Sequence, residues 1–470
     1  MKKIISVLLV LAMLMGLAIA CTPGTASNDT AQQPGTATQT ETKAEQKDET
    51  ATQPAQASNT QETAPAASGE KPTAKIGIVA TLAADGKFNG YYHQIGYEIL
   101  KDKLAADNPN VNIEFVIRDM GSDGSELKQR MTELKELGCV AIIGAVADDF
   151  GPVCAQWASE NKVPVLFTSN YSTEMTITNY SDYIFGTGLN AWGFIKVLAK
   201  EAVGNQGKTN YAYVGTDGAG AVDAENILLY EGQKINPDFH CVASYRMSQT
   251  ESDFSTIIAT LMSQAEVPQM TLQQGGNAVI SFVMQAAMYD YYSVSSVWSD
   301  VIIMPFVVPI LSGAGVYSYE GSYGATPLAW WDEDFKDYVA QFRAKGQEVY
   351  QTDYQPVEYS MYVYWAGEAL EQALVSCVND GQDFTNGEVL KSALEKISFE
   401  EFGSEHHFRD FDHQLTMELF FVDAVDAGEE NFHLAMPADV TAVHQAEDYL
   451  PSKEEMKEYG ETVLGVKDRF

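Results

Sequence analysis

From Lys75 onward the apolar residues fall into short runs that alternate with amphipathic stretches. KIGIVA (75–80), IEFVIRD (113–119), CVAIIG (139–144) and VPVLFTS (163–169) each read as a buried strand. Between them come helical patterns. The first runs over about Gly90–Ala105. The second, SELKQRMTELKEL, places Leu127, Met131, Leu134 and Leu137 on one face, and the third runs from Asp148 to about Asn161. Strand, helix, strand in this order predicts right-handed βαβ units and a parallel sheet. The pattern then restarts with a helix over 190–203, TNYAYVGTD (209–217), a helix to about Lys234, HCVASYR (240–246) and a helix over Asp253–Ala265. PQMTLQQ (268–274) and DVIIMP (300–305) follow as strands with a helix between them. Helical patterns over 332–346, 356–378 and 386–397 lead to a strand-like MELFFVDA (417–424). Two βαβ series predict two doubly wound α/β lobes with a cleft between them, a natural place for a small molecule.

The start of the chain has a different character. MKKIISVLLVLAMLMGLAIA has two lysines, an apolar run short for a bilayer and small residues before Cys21, the pattern of an export signal (1–20). A cysteine directly after the small residues resembles the lipidation site of bacterial lipoproteins, which implies an extracytoplasmic protein held on the cell membrane through Cys21. Residues 21–73 contain almost no large apolar side chain, too few to bury a core, and read as a disordered tether with a span of roughly 40 Å. A net charge of −36 argues against nucleic acid as a partner, because phosphate backbones demand basic patches. The four remaining cysteines, Cys139, Cys154, Cys241 and Cys377, read mainly as buried free thiols, with a Cys139–Cys154 bridge as the alternative.

Several stretches in order carry a wider resemblance: FNGYYHQIG, VAIIGA, VPVLFTSNYSTEMT, DYIFGTGLNAWGFIKVLA, TNYAYVGTDGAGA, SDFSTII, GGNAVISFVMQA and the Tyr359–Leu374 helix. Over about 74–424 the chain resembles the extracytoplasmic solute-binding proteins of ABC transporters, in particular the branched-chain amino acid group of the type I periplasmic-binding fold. The resemblance implies two lobes joined by a three-crossing hinge, with residues 74–186 and 325–402 in lobe 1. Residues 187–324 and 403–470, the latter including a C-terminal extension, fall in lobe 2. The hinge crossings are expected near Ile184–Thr187, Tyr323–Pro327 and Gly403–Phe408. A monomer that closes on a solute and hands it to a membrane permease, with no cofactor and no catalysis, is the function implied.

The family's ligand loops carry over to Phe88 and Asn89, Asp148 with Asp149, Ser169 and Tyr171 in the first lobe. In the second lobe they carry over to Ala221, to the turn from Gln274 to Asn277, and to Met304–Phe306. At Asp148 the family usually has a serine or threonine that binds the ligand carboxylate, and MPF holds no acid where one commonly meets the ammonium. Aspartate cannot donate to a carboxylate, so this pair suits a ligand with ammonium, amide or hydroxyl donors. Capping of the helix that follows is the competing reading for either aspartate.

Enzyme motifs are weak. SENK (159–162) lacks the elements that accompany an S-x-x-K nucleophile, and DGAGAVDA (217–224) has Asp223 where a dinucleotide fingerprint needs its third glycine. HHFRDFDH (406–413) gathers His406, His407, Asp410, Asp412 and His413, but reads as a strand or hairpin near the hinge rather than a metal site. A ligand sensor or surface-binding lipoprotein on the same scaffold, and a nucleoside-type binding lipoprotein suggested by DGKFNG, remain as alternatives. The acidic stretch from about Asp426 has no assigned role.

Overall fold

The two sheets are built as the alternation predicts. In the first, strands β1 (Thr73–Ala80), β2 (Asn112–Asp119), β3 (Cys139–Gly144), β4 (Val165–Phe167) and β5 (Ile184–Gly186) lie in the order β2-β1-β3-β4-β5. All are parallel, with Ile76 opposite Phe115 and Ile142 opposite Val165. The second contains β6 (Asn210–Thr216), β7 (His240–Met247), β8 (Met270–Gln274), β9 (Ser296–Trp298), β10 (Ser322–Thr326), β13 (Leu419–Asp426) and β14 (Ala435–His444). Its order is β14-β13-β10-β9-β8-β6-β7. Strands β6 to β10 are parallel, and β13 and β14 extend the edge antiparallel. A two-stranded hairpin, β11 (Ser398–Glu401) with β12 (Ser404–His407), makes a third, small sheet. This is a computed structural model. It describes residues 71–82, 88–105, 110–144, 148–169, 171–248, 250–274, 276–299, 322–351, 353, 355–426, 435–467 and 469–470. Residues 71–470 form one compact unit. The signal, the tether, Cys21 and the 300–305 stretch with Phe306 lie outside the described residues.

Helices cover both faces of each sheet. Around the first sheet are α1 (Phe88–Ala105), α2 (Gly124–Glu136) and α3 (Gly151–Asn161); Leu127, Met131 and Leu134 of α2 are buried against β1 and β3. Helices α4 (Ala191–Ala199), α5 (Ala219–Ile235), α6 (Ser255–Ser263) and α7 (Gly276–Met288) cover the second sheet. The later helices α8 (Lys336–Tyr350), α9 (Glu358–Asn379) and α10 (Gly387–Leu394) return to the first lobe. Gly96 of α1 lets it pack on Ser360 of α9, and Tyr92 stacks on Phe342 of α8 at 5.8 Å. Cys139, Cys154 and Cys377 are buried thiols and Cys241 is half-buried; none is in a disulfide.

Of the chain segments that cross between the lobes, the first and third are bonded to each other, and the first also to helix α9. The Gly186 N–H donates to the His413 carbonyl at 2.9 Å, and the Leu415 N–H donates back to the Gly186 carbonyl at 2.8 Å. Gln414 Nε2 donates to the Gly188 carbonyl at 2.9 Å, and Thr187 Oγ1 to the Tyr362 carbonyl at 3.0 Å. The third crossing therefore lies around residues 408–418, just after the hairpin at 403–408 where the resemblance put it. Tyr323–Thr326, expected as a crossing, are a strand of the second sheet before the chain leaves it.

The histidine-rich stretch serves this hinge. His406 is buried beside Trp365 and Phe399, with Nδ1 donating to the Thr416 carbonyl at 2.8 Å. His413 stacks flat on Phe185 at 4.3 Å and donates through Nδ1 to the Ile184 carbonyl. Burial lowers the pKa of both rings and favours the neutral form, while the bonds to backbone carbonyls pull the other way. Among the described residues no group of three or more His, Cys, Asp or Glu is placed to hold a metal ion.

Gly144 ends β3 at φ +127°, and a Cβ there would stand 2.0 Å from the Val79 carbonyl oxygen of β1. Gly144→Ala is expected to cost about 2 kcal/mol in urea unfolding, because both the backbone conformation and the strand spacing resist it. Glu368 of α9 is buried, with its carboxylate 2.5 Å from Lys103 Nζ of α1. Burial and the Glu401 carboxylate push its pKa up to about 7 against the pull of Lys103, from an ordinary 4.5. Between those two values the unfolded chain has released this proton while the folded chain keeps it, so stability falls as pH rises through the window. Glu368→Gln should gain on the wild type by on the order of 2 kcal/mol between pH 4.5 and 8, read by urea unfolding at stepped pH. A constant offset across that range would show that Glu368 stays ionised.

Candidate functional site

Both sheets have the strand order 2-1-3-4-5 in their parallel part, and this order sets where a ligand can sit. Neighbouring connections leave opposite faces at the β1/β3 boundary of the first sheet and the β6/β8 boundary of the second, opening a crevice at the carboxyl ends of those strands. In the first lobe the crevice is bordered by Thr81 and Leu82 after β1 and by the turn after β3. The Leu82 N–H is held by the Asp119 carboxylate at 2.9 Å, and Gln94 Nε2 of α1 donates to the Thr81 carbonyl at 2.7 Å. In the second lobe it is bordered by Thr216–Gly218 after β6 and by Gln274, the last residue of β8.

The residues carried over from the resemblance fall around these edges. Phe88 and Asn89 open α1, and Asn277 lies in the first turn of α7; their side chains are outside the described residues. Asp148 and Asp149 form a short 3₁₀ turn between β3 and α3, and Asp149 is exposed. The side chain of Asp148 is outside the described residues, and neither aspartate stands at the cap position of α3. The cap position of α3 is Phe150, no side-chain bond caps the helix, and Pro152 removes one of the orphan N–H groups that a cap would serve. Ser169 is half-buried just past β4, next to Thr168, which is fully buried. Tyr171 is half-buried; its carbonyl accepts from the Ala191 N–H at 2.6 Å and its ring lies 6.4 Å from Phe194. Ala221 is buried in the first turns of α5 as part of the core cluster.

Gln273, fully buried with neither side-chain polar atom partnered among the described residues, precedes Gln274, which ends β8 at the crevice edge. Gln274 is 5% exposed, yet its side-chain amide nitrogen has no hydrogen-bond partner among the described residues. A buried unmade donor costs about 1–3 kcal/mol, so a carbonyl, hydroxyl or carboxylate oxygen is the group it suits.

Sequence reading passed over two positions. Thr168 has a buried hydroxyl without a partner among the described residues, one residue from the serine that was chosen. Asp223 stands in the sequence only as the residue that breaks a glycine motif. In the structure its Oδ2 accepts three bonds from the first lobe's β4–β5 connection: Ser172 Oγ at 2.9 Å, Thr173 N–H at 2.7 Å and Thr173 Oγ1 at 2.9 Å. Burial raises the Asp223 pKa while these donors oppose the rise. Beside it, Glu174 is raised by burial and by the nearby carboxylates of Asp223 and Asp149, so acidic groups gather where the two lobes meet. No local sequence signal marks such a contact, because its partners are 50 residues apart.

Comparison with known proteins is consistent with this geometry. The profile of the family described as Periplasmic binding protein matches residues 73–429. No curated protein matches the chain at the sequence level. Among solved structures, the leucine-, isoleucine-, valine-, threonine- and alanine-binding protein from Brucella ovis in its closed conformation is similar, with a TM-score of 0.69 at 14% identity. That match covers 85% of this chain and 99% of the other. The solute-binding protein of an ABC transporter from Rhodopseudomonas palustris HaA2, in complex with p-hydroxybenzoic acid, has a TM-score of 0.67 at 16% identity over 80% and 97% of the two chains. An ABC transporter substrate-binding protein from Sphaerobacter thermophilus has a TM-score of 0.67 at 14% identity, over 76% and 95%. With two doubly wound lobes, crossing strands between them and a family match over most of its length, this chain belongs to the periplasmic binding protein family, a family of solute-binding proteins rather than enzymes, and has the type I fold.

Proposed function

We propose that this protein is the extracytoplasmic solute-binding component of an ABC importer, lipid-anchored through Cys21. It captures an amino acid or a related small polar solute in the interlobe crevice by hinge closure, as a monomer, and delivers it to a membrane permease. The observation that carries the reading is the amide nitrogen of Gln274 at the β6/β8 crevice, buried with no partner among the described residues, an uncharged donor suited to a solute carboxylate. The acidic groups of Asp149, Glu174 and Asp223 suit an ammonium group, so the two sides together favour a zwitterion over a bare acid. Asp148, Ser169 and Tyr171 border the first-lobe side, and Phe88, Asn89, Ala221, Asn277 and Phe306 complete the proposed contact set. The similar solved structures are named for branched-chain and related amino acids in one case and for p-hydroxybenzoic acid in another.

The test is a thermal-shift screen of residues 71–470 against amino acids, amides, hydroxybenzoates, nucleosides and short peptides. A solute at a hundred times its Kd adds about 2.7 kcal/mol to the folded state, which such a screen resolves. A hit among amino acids supports the reading. Hits confined to hydroxybenzoates or nucleosides replace the solute class, and silence across the panel turns the reading toward a surface-binding or sensor lipoprotein.

A further inference from the structure

The elements after β14 lie beyond the stretch that matches the family, which ends at residue 429. They are α11 (Ala446–Tyr449), α12 (Lys453–Tyr459) and a terminal turn to Phe470. They do not simply extend the second lobe. Tyr449 is fully buried, with its hydroxyl donating to the Met417 carbonyl of the third crossing at 2.6 Å. Arg409, also on that crossing, donates through Nη1 to the Pro451 carbonyl at 2.6 Å. Helix α12 then docks on the second lobe. Glu455 takes Lys196 of α4 at 3.0 Å and Lys234 of α5 at 2.7 Å, and Tyr459 packs on Trp192 at 4.6 Å and Tyr230 at 5.2 Å.

Burial alone would raise the Glu455 pKa, yet bonds from Lys234, the Ser452 N–H and Lys196 hold it at about 2, so this anchor stays charged through the physiological range. The segment then reaches the first lobe. Gly460 sits against Ile177, whose Cγ2 is 3.4 Å from where a Cβ would stand. Arg469 donates through Nε to the Thr176 carbonyl at 3.2 Å and lies 3.4 Å over the Tyr180 ring. Its Nη2 donates to the Phe411 carbonyl of the third crossing at 2.6 Å. Thr176 and Tyr180 belong to the same β4–β5 connection that supplies Ser172 and Thr173 to Asp223.

We infer that residues 446–470 form a strap across the hinge, anchored on the second lobe by Glu455 and Tyr459 and fastened to the first by Arg469, which limits how far the lobes separate. One short segment touches the second-lobe helices, the third crossing and the first-lobe connection. Any rotation of the lobes about the crossings must therefore stretch or break one of these contacts. Arginine suits the fastening because its planar guanidinium stacks on a ring while its N–H groups reach two carbonyls; a lysine ammonium can donate to both but has no plane to stack.

The strap rests on the capture reading only in that the lobes move. Spin labels at Glu136→Cys and Ala265→Cys, exposed positions at the ends of the two lobes remote from the crevice, report the interlobe distance in residues 71–470. A common Cys241→Ser background removes the half-buried thiol. Without solute, Arg469→Ala is expected to broaden the distance distribution into a population that the parent lacks. Arg469→Lys should fall between the two, and Glu455→Gln should broaden it from the other anchor. If Arg469→Ala lowers thermal stability while its distribution superimposes on the parent, the segment is ordinary packing and the strap is overturned. A distribution unchanged by the whole solute panel in parent and variants alike would count against capture. A solute-dependent parent with an indifferent Arg469→Ala would count against the strap alone.

Discussion

Replacing Gln274 by leucine is expected to weaken binding of a carboxylate-bearing solute by up to about 3 kcal/mol, roughly a hundredfold in Kd, while leaving the fold as stable as before or slightly more so. The two parts of this expectation have one cause. The amide nitrogen is buried without a partner among the described residues, so removing it deletes no bond to any of them. A solute oxygen that fills the crevice would find the donor already desolvated and held by β8, so little ordering remains to oppose binding. Calorimetric titration with the best hit of the solute screen, alongside urea unfolding, checks both parts. Lost stability with unchanged affinity would make Gln274 a structural residue and remove the observation on which the proposed solute chemistry stands.

Asp223→Ala is expected to cost on the order of 4 kcal/mol of stability, the largest loss predicted for a single side chain here. Its Oδ2 gathers two hydroxyls and a backbone N–H, all buried, and alanine leaves all three donors without an acceptor. Asp223→Asn should cost far less, about 1 kcal/mol, because the amide oxygen can occupy the Oδ2 position and accept the same three bonds without charge. Urea unfolding of the two variants separates the cases. Equal losses would mean that the negative charge, not the acceptor geometry, holds this contact. The bond also joins the two lobes, so Asp223→Ala should shift the lobes toward separation and Asp223→Asn should do so much less, if capture proceeds by hinge movement.

The sequence was most informative where one side chain's fate follows from its neighbours along the chain. Leu127, Met131 and Leu134 recur at helical spacing, and the helix they predict buries those three against the first sheet. The uninterrupted apolar runs at 75–80 and 139–144 are strands covered on both faces, as parallel strands must be. The last strand of the second sheet escaped notice. β14 follows an acidic stretch without a clean period and is specified by its antiparallel pairing with β13. The aspartates after β3 misled for a related reason. Asp favours a helix N-terminus on average, but here the helix begins at Gly151, one turn later, with Pro152 in its first turn. HHFRDFDH lies near the hinge as expected, but what the His413 ring does there, stacked on Phe185 and bonded to the Ile184 carbonyl, depends on contacts more than 200 residues away in the chain.

By itself the sequence determined the two βαβ series, and with them the doubly wound lobes, because period-2 and period-3.6 burial are local properties of the chain. Strand order, and so the position of the crevice, came from the tertiary structure: β1 pairs with both β2 and β3, and β6 with both β7 and β8, choices no local pattern encodes. The tertiary structure alone decided that Gln274 is left buried with an unmade bond. It also decided that Asp223 joins the lobes and that the last 25 residues cross the hinge. Each of these depends on which groups meet after the chain has folded back on itself, and that is settled by packing across distant segments rather than by the propensities of any one of them.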